Sequence, residues 1–462
     1  MATSASKHIA ILGAGITGLT AAYRLLQRGH TVRLFEATDR VGGAIGTEIS
    51  GDWLIEKGPN SLLAGDPALD ALIAEVGLTA ERVTANPLAR NRYLVRRGQP
   101  VAAPLSPPAF LRSPLFSLGA KFRLATEFLV RPRVRHADLS LEDFIRVHFG
   151  QEIVDYALNP FVTGVYAGNP KKLSARYAFP KLWEIEQKHG SLLRGQIAAA
   201  KARTPEQRAA AGIISFRRGL QALPDALARR LAPGVLSLTA RIEALIPAER
   251  ARWSVVWHNN ASSATTTETF DAVIAALPAP ALAQLRVGTL GERPLASLDA
   301  IEHPPVSSLF LGYRRADVAH ALDGFGMLVP EVEKRSILGV LFTSTLFPGR
   351  APADHVALTV LVGGTRQPEL GRLPTTELLK VVQPDLAALL GVRGAPVFHR
   401  HTFWSRAIPQ YNLGYESHLD TMTAAERAHR GLLIGGQARD GISMPACVAA
   451  GEKLAARVGQ AE

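Results

Sequence analysis

Apolar residues first become periodic over residues 7–12, a short run followed directly by an amphipathic stretch that reaches about residue 28 and is closed by Gly29. The run predicts a buried strand, and the stretch predicts a helix with apolar positions at 3.6-residue spacing. Residues 31–35 predict a second strand. In the middle of the chain, residues 215–231 pass from a turn at Gly219 into an amphipathic helix, and residues 234–242 alternate as a strand. Residues 271–278 then form an apolar run ending in Pro278, which reads as a buried parallel strand stopped by a breaker. Residues 431–435 repeat the buried-strand pattern before a glycine turn, and a last helix follows to about residue 458.

The length of 462 residues is too great for one ordinary core and predicts two or three domains, at roughly 150 residues each. With 47% hydrophobic and 20% charged residues the chain is globular, and a mean hydropathy of +0.08 leaves some apolar surface for a membrane or a greasy ligand. The single Cys447 excludes an intramolecular disulfide framework and any multi-cysteine metal centre, and favours a reducing compartment. Six residues precede the first strand-like run, so no leader is expected. No uncharged run approaches the roughly 18 residues of a spanning helix, so a cytosolic or peripheral location is expected. The net charge of +12 admits an anionic membrane or small anion as partner. Its basic residues show no recognition-helix, finger or aromatic RNA-binding pattern, so nucleic acid is not expected.

The first strand runs straight into Gly13, Gly15 and Gly18, spaced as GxGxxG. Gly13 permits the tight turn, Gly15 lets backbone N–H groups approach a pyrophosphate, and Gly18 lets helix and strand pack closely. The helix N-terminus favours the phosphate charge. Glu36 ends the second strand about twenty residues later, where a carboxylate bonds ribose hydroxyls and disfavours a 2′-phosphate. Strand, spacing, helix and acid together predict a dinucleotide site.

The next residues, Asp39, Arg40, Val41, Gly42 and Gly43, resemble the second glycine motif of amine-oxidase-type FAD flavoproteins, in which the arginine and glycine backbone hold the phosphates. Near the C-terminus, Gly435, Gly436, Gly441, Ile442 and Ser443 resemble that group's flavin motif, with a helix N-terminus stabilising negative charge on the reduced ring. Met444 and Pro445 stand where small residues are usual in that motif. Nothing marks Cys447 as a covalent flavin link, so FAD is expected to be non-covalent.

Segment 159–173, NPFVTGVYAGNPKKL, is similar to a signature of the oxygen-dependent protoporphyrinogen oxidases of the same superfamily. Six separated matches in the expected order cover about residues 7–453. The resemblance implies an α/β fold with a Rossmann-like FAD-binding domain assembled from residues 1–85, 205–285 and 410–462. It further implies an α+β substrate-binding domain of residues 86–105 and 286–409, and a helical lobe of residues 106–204. By position it implies that Arg92 pairs with a substrate propionate, that Gly164 offers a backbone carbonyl, and that Leu328 and Phe342 flank the tetrapyrrole. Gly58, Pro59, Asn60 and Trp404 would lie near the flavin, and the backbone of Ile242 near the adenine. The residues themselves leave plainer readings open: three of the four arginines between 90 and 97 as solvated surface, and Leu328 and Phe342 as core.

Residues 118–129 place Leu118, Phe122, Ala125, Phe128 and Leu129 on one helical face, with Arg123 and Glu127 opposite. This reads either as a basic interfacial helix, as the family's peripheral membrane association implies, or as a helix packed on its own lobe. His399 and His401 alternate in a strand without a third ligand nearby, so no metal site is expected.

The implied reaction is six-electron oxidation of protoporphyrinogen IX in three hydride-transfer rounds, with O2 as acceptor and H2O2 as product. Aromatisation drives it, which agrees with finding no acid–base constellation. Coproporphyrinogen III oxidation, amine oxidation and carotenoid desaturation are the rival activities. A non-catalytic tetrapyrrole carrier or ferrochelatase-docking scaffold is the rival of another class. A ferrochelatase partner and a homodimer stay open.

Overall fold

The architecture was derived from a computed structural model that describes residues 6–131, 135, 137–202, 204, 212–249, 252–259 and 263–458. Five parallel strands, ordered Leu236–Ser237, Thr31–Phe35, His8–Leu12, Ala272–Ala275 and Leu432–Ile434, form a Rossmann-like sheet. Its members come from three distant parts of the chain. Both faces are covered, which is why these strands are continuous apolar runs rather than alternating ones. Ile9 and Ile11 face the helices Ile16–Gln27 and Met444–Val458, while Ala10, Leu12 and Phe35 face a four-stranded sheet built from residues 240–287. The two helices pack tightly because Gly451 has no side chain: a Cβ there would lie 2.5 Å from the Thr17 carbonyl oxygen.

Residues 234–242 are not one strand. Thr239 adopts a left-handed φ of 54°, so Leu236–Ser237 ends in the parallel sheet and the chain re-enters the four-stranded sheet as Ala240–Ala248. Strand Arg286–Val287 and the short turn Ala296–Ala300 also pack on this side, so the passage into the next sheet comes at Val306 rather than at residue 286.

The largest sheet has seven strands, ordered Phe398–Trp404, Val306–Arg314, His355–Gly363, Ile337–Leu341, Gly324–Leu328, Asn91–Arg96 and Gln99–Ala102. One face buries Val95, Met327, Val340, Val360 and Val362 against Leu378, Val382 and Leu386 of helix Thr375–Leu390. At one end of the opposite face, Trp53 and Ile55 of the hairpin Thr47–Ser50/Trp53–Glu56 cover Phe310 and Ala357. A buried ion pair ties the hairpin to the loop before strand His355–Gly363: Glu56 to Arg350, 3.2 Å, with Arg350 bonded on to Ser215.

Most of the described residues between 107 and 202 are helical. The segment Leu118–Thr126, continued by the 3-10 turn Glu127–Leu129, is oriented the other way from a helix packed on its own lobe. Leu118, Phe122 and Leu129 are 82%, 73% and 79% exposed, whereas Glu127 is 1% exposed. Glu127 is drawn inward by His148, Ser191 Oγ and the Leu192 and Leu193 N–H groups. Arg133 of the basic stretch lies outside the described residues.

Candidate functional site

The dinucleotide cradle forms where the first strand ends. Gly13 has φ 95°, and a Cβ on it would sit 2.8 Å from the Ala276 carbonyl oxygen. On Gly18 a Cβ would be 1.9 Å from the Gly13 oxygen, so only glycine allows this helix to start so close to its strand. At Gly15 a Cβ would meet nothing within 4 Å, which leaves open space against the helix N-terminus. The Glu36 carboxylate accepts the Ala14 N–H at 2.9 Å with one oxygen, and the Thr38 N–H and Oγ with the other. That places an acid beside the open turn, as a ribose-binding carboxylate requires.

The second glycine motif folds over the first. Gly42 N–H donates to the Ala14 carbonyl at 2.8 Å, and the Gly43 Cβ position lies 3.4 Å from the Gly15 Cα. The Arg40 guanidinium donates to the Ile45 and Gly43 carbonyls, 2.7 Å each, and so holds the loop that frames the cradle. Ile242 is half-buried on the strand whose first residue, Ala240, donates to the Glu36 carbonyl.

A second group of residues meets further along. Trp404 Nε1–H donates to the Lys57 carbonyl at 2.8 Å, and Gly58 lies against the indole. Pro59 follows, half-buried, and Asn60 donates to the Gly58 carbonyl while its own Oδ1 is buried with no partner among the described residues. In the C-terminal motif, Gly436 N–H donates to Asp440 at 2.8 Å, and Gly436 and Gly441 carry φ of 107° and 118°. Next to Gly435, Leu454 Cδ1 lies 2.8 Å from the Cβ position, so a side chain there would displace the final helix. Ser443 Oγ caps that helix by accepting the Ala446 N–H, and Ile442 bridges the core behind the motif and the core containing Leu328. Pro445 lies in the helix's first turn, where a missing N–H costs nothing. An open turn beside Glu36, glycine surfaces that Cβ atoms would fill and an orphaned amide oxygen on Asn60 suit a flavin dinucleotide. Cys447 packs within the last helix, and burial pushes its thiol up to about 11.

Segment 159–173 is strapped to this motif. Helix Asn159–Tyr166 follows a π-helical turn, Val154–Leu158, and ends at Ala167 in a left-handed conformation. Tyr166 packs 6.4 Å from Tyr411, whose hydroxyl bonds the Gln437 carbonyl, and Tyr415 bonds the Ala438 carbonyl. Burial raises the pKa of all three tyrosines, so they remain neutral.

Gly164 meets Leu328: a Cβ on the glycine would be 2.7 Å from Leu328 Cδ2, and one on Gly339 would be 3.1 Å from the same methyl. Strand pairing puts Gly326, Leu328 and Leu341 on one face, together with Arg92 and Leu94 of the neighbouring strand. Arg92 is exposed, with its guanidinium 5.7 Å from the Phe325 ring and no ion pair among the described residues. Arg96, on the same face, is occupied: it pairs with Glu152 at 2.7 Å and lies 3.8 Å over Tyr156. The structure does not bring Phe342 to this face. Phe342 is fully buried on the other side, packed at 5.4 Å on His320 and 6.2 Å on Tyr93. Leu341 and Leu361, half-buried, take the open side, and strand alternation is the signal that finds them. His401 bonds Ser307 and Thr375, while His399 is exposed.

The model of the family described as flavin containing amine oxidoreductase matches residues 16–459. Protoporphyrinogen oxidase 2 of Arabidopsis thaliana is 33% identical over 97% of this chain and 93% of its own length. The mitochondrial protoporphyrinogen oxidase of Nicotiana tabacum is 33% identical over 97% and 94%. Coproporphyrinogen III oxidase of Bacillus subtilis is 28% identical over 96% of both chains. Among solved structures, a protein from Exiguobacterium sp. 255-15 superposes with a TM-score of 0.82 at 24% identity, covering 99% of this chain and 100% of that one. The chain belongs to the flavin-containing amine oxidoreductases and is an FAD-dependent oxidoreductase.

Proposed function

We propose that the protein oxidises protoporphyrinogen IX to protoporphyrin IX. Bound FAD supplies a two-electron acceptor that is used three times per substrate. Six electrons and six protons leave the macrocycle, and three O2 become three H2O2. The chain's own residues bind and align: Gly164, Leu328, Leu341 and Leu361 offer a dry surface to a flat macrocycle, and Arg92 offers a guanidinium fork to a propionate. Oxidation to an aromatic product needs no dedicated base on the protein.

The observation that carries the choice of substrate is the arginine inventory of the open strand face. Arg96 is neutralised by Glu152, which leaves Arg92 as the cation available on that strand. A single free cation on this strand, among the described residues, suits a substrate with two propionates better than coproporphyrinogen with four. The two plant relatives at 33% identity support the same substrate. The test is anaerobic bleaching of bound flavin, then porphyrin fluorescence under air, with each porphyrinogen. Higher kcat/KM for protoporphyrinogen is expected; a preference for coproporphyrinogen overturns the choice, and no bleaching by either supports a non-catalytic scaffold.

The reading includes a peripheral membrane contact that delivers this lipophilic substrate. Its support is the outward apolar segment, with Leu111 66% exposed beside Leu118, Phe122 and Leu129, and Arg112, Lys121 and Arg123 close by in the chain. No helix among the described residues is long and apolar enough to cross a membrane. Co-sedimentation with anionic liposomes should be lost in Phe122→Glu plus Leu129→Glu; equal binding ends this part.

A further inference from the structure

Arg366 leaves the seven-stranded sheet just after Gly363 and Gly364 and turns into the protein, beneath the helix Asn159–Tyr166. Its Nη2 shares two hydrogens among three acceptors: Asn159 Oδ1 at 3.2 Å, Thr163 Oγ at 3.2 Å and the Val329 carbonyl at 3.0 Å. Nη1 is buried and has no partner among the described residues. A neutral amide would satisfy these acceptors with less desolvation, so a buried guanidinium with an idle nitrogen calls for a reason beyond packing.

The acceptors supply the reason. Thr163 is the neighbour of Gly164, and Val329 is the neighbour of Leu328, the two residues whose contact closes one side of the candidate cleft. We infer that Arg366 is a positioning residue that sets how closely Gly164 and Leu328 approach, by gripping the residue adjacent to each.

Two further sets of bonds agree with a helix clamped at this contact. At its start, Asn159 Oδ1 accepts the Glu331 N–H at 2.9 Å and its Nδ2 donates to Glu331 Oε2 at 3.1 Å. At its end, the Ala167 carbonyl accepts the Thr365 N–H at 2.8 Å, and Gln410 donates to the Tyr166 carbonyl at 2.8 Å. Thr365 adjoins Arg366, so one turn of the sheet holds both the middle and the end of the helix. The Leu328 methyl that touches Gly164 also lies over Gly339, where a Cβ would be 3.1 Å from it. The contact between Leu328 and Gly164 therefore follows the helix, and the helix follows Arg366. Burial lowers the Arg366 pKa although Glu331 works against this, so the ion sits at a cost.

The identity of the substrate rests on the porphyrinogen reading; the Gly164–Leu328 contact itself does not. The experiment compares wild type, Arg366→Leu and the milder Thr163→Val as FAD-loaded protein. Hydrogen exchange is followed over residues 159–166 and 324–329, alongside flavin bleaching against protoporphyrinogen concentration. We expect exchange in these two segments to quicken roughly tenfold in Arg366→Leu while the glycine turn at 13–18 keeps its wild-type rate. A fall in kcat/KM on the order of ten- to a hundredfold is expected with FAD content unchanged, because small misplacements near the reacting atoms are costly. Thr163→Val should move both readouts the same way, less far, and it decides the matter if Arg366→Leu fails to fold. Exchange that rises uniformly across the protein, or unchanged local exchange with kcat/KM within about twofold of wild type, overturns the inference. If wild type is not bleached at all, the substrate reading fails, and the exchange pattern alone supports or overturns the role of Arg366.

Discussion

Replacing His148 with leucine should expose how the helical lobe is held. The imidazole is completely buried between two carboxylates: Nδ1 is 2.9 Å from Glu127 and Nε2 is 3.1 Å from Glu186. Ionised carboxylates only accept, so both ring nitrogens must carry protons and the ring is an imidazolium. Burial works against that charge, but the bonds to Glu127 and Glu186 outweigh it and hold the His148 pKa above its ordinary 6.5. Burial likewise opposes the two carboxylates, yet His148, Ser191 and backbone N–H groups hold Glu127 low, and His148 with Arg135 holds Glu186 low. Arg135 grips Glu186 through Nε at 2.8 Å and Nη2 at 2.7 Å, so the described cluster is neutral with two negative and two positive members. His148→Leu removes one positive charge and leaves Glu127 with neutral donors alone. Each contact is worth about 4 kcal/mol at an effective dielectric near 20. Breaking a buried pair on one side costs about 3–5 kcal/mol after partial relaxation, which is the loss expected at pH 6.

The pH dependence makes the test sharper. Because the folded-state pKa lies above 6.5, the His148 contribution is fully present below 6.5 and is lost as pH climbs through the raised value. The carboxylates run the other way: their contribution is present above 4.5 and lost as pH falls through their lowered values. The stability difference between wild type and His148→Leu, measured by urea denaturation of FAD-loaded protein, should therefore be largest between pH 4.5 and 6.5 and shrink toward alkaline pH. A difference that stays constant from about pH 5 to 9, or a variant as stable as wild type at pH 6, refutes the imidazolium.

Gly164→Ala should lower kcat/KM about tenfold with little loss of FAD, since its methyl would press on Leu328 Cδ2 from 2.7 Å at an overpacking cost of about 1–3 kcal/mol; steady-state kinetics and flavin absorbance check it. Phe342→Ala should cost about 3–5 kcal/mol in denaturation, whereas Leu341→Ala, on the open face, should change KM more than stability; the reverse pattern would put Phe342 in the cleft. Glu36→Ala should weaken FAD binding about ten- to a hundredfold in apoprotein titrations, as expected for a charge-assisted acceptor worth about 1.5–3 kcal/mol.

The cofactor side was legible in the sequence because its determinants are local. Gly13, Gly15 and Gly18 are demanded by one turn, and Glu36 lies at a chain distance set by one helix and one strand. The buried parallel strands were legible too, since a strand covered on both faces must be apolar throughout. The cleft was legible only in part. Resemblance pointed to Gly164, Leu328, Arg92 and Phe342; the first three meet at one sheet face, but the step from Phe342 to Leu341 is a choice of sheet face, and an apolar pair offers no marker for it.

By itself, then, the chain's order of residues determined the α/β class, the glycine cradle and the acid beside it, because each depends on neighbours a few positions apart. Tertiary structure decided which way side chains face when the deciding partner is distant. Helical periodicity set Glu127 opposite an apolar stripe, but His148 and Ser191, 21 and 64 residues away, turned the acid inward and the stripe outward. Arg366 likewise carries no motif. Its meaning comes from Thr163 and Val329, 203 and 37 residues away, which only folding brings within reach of one nitrogen.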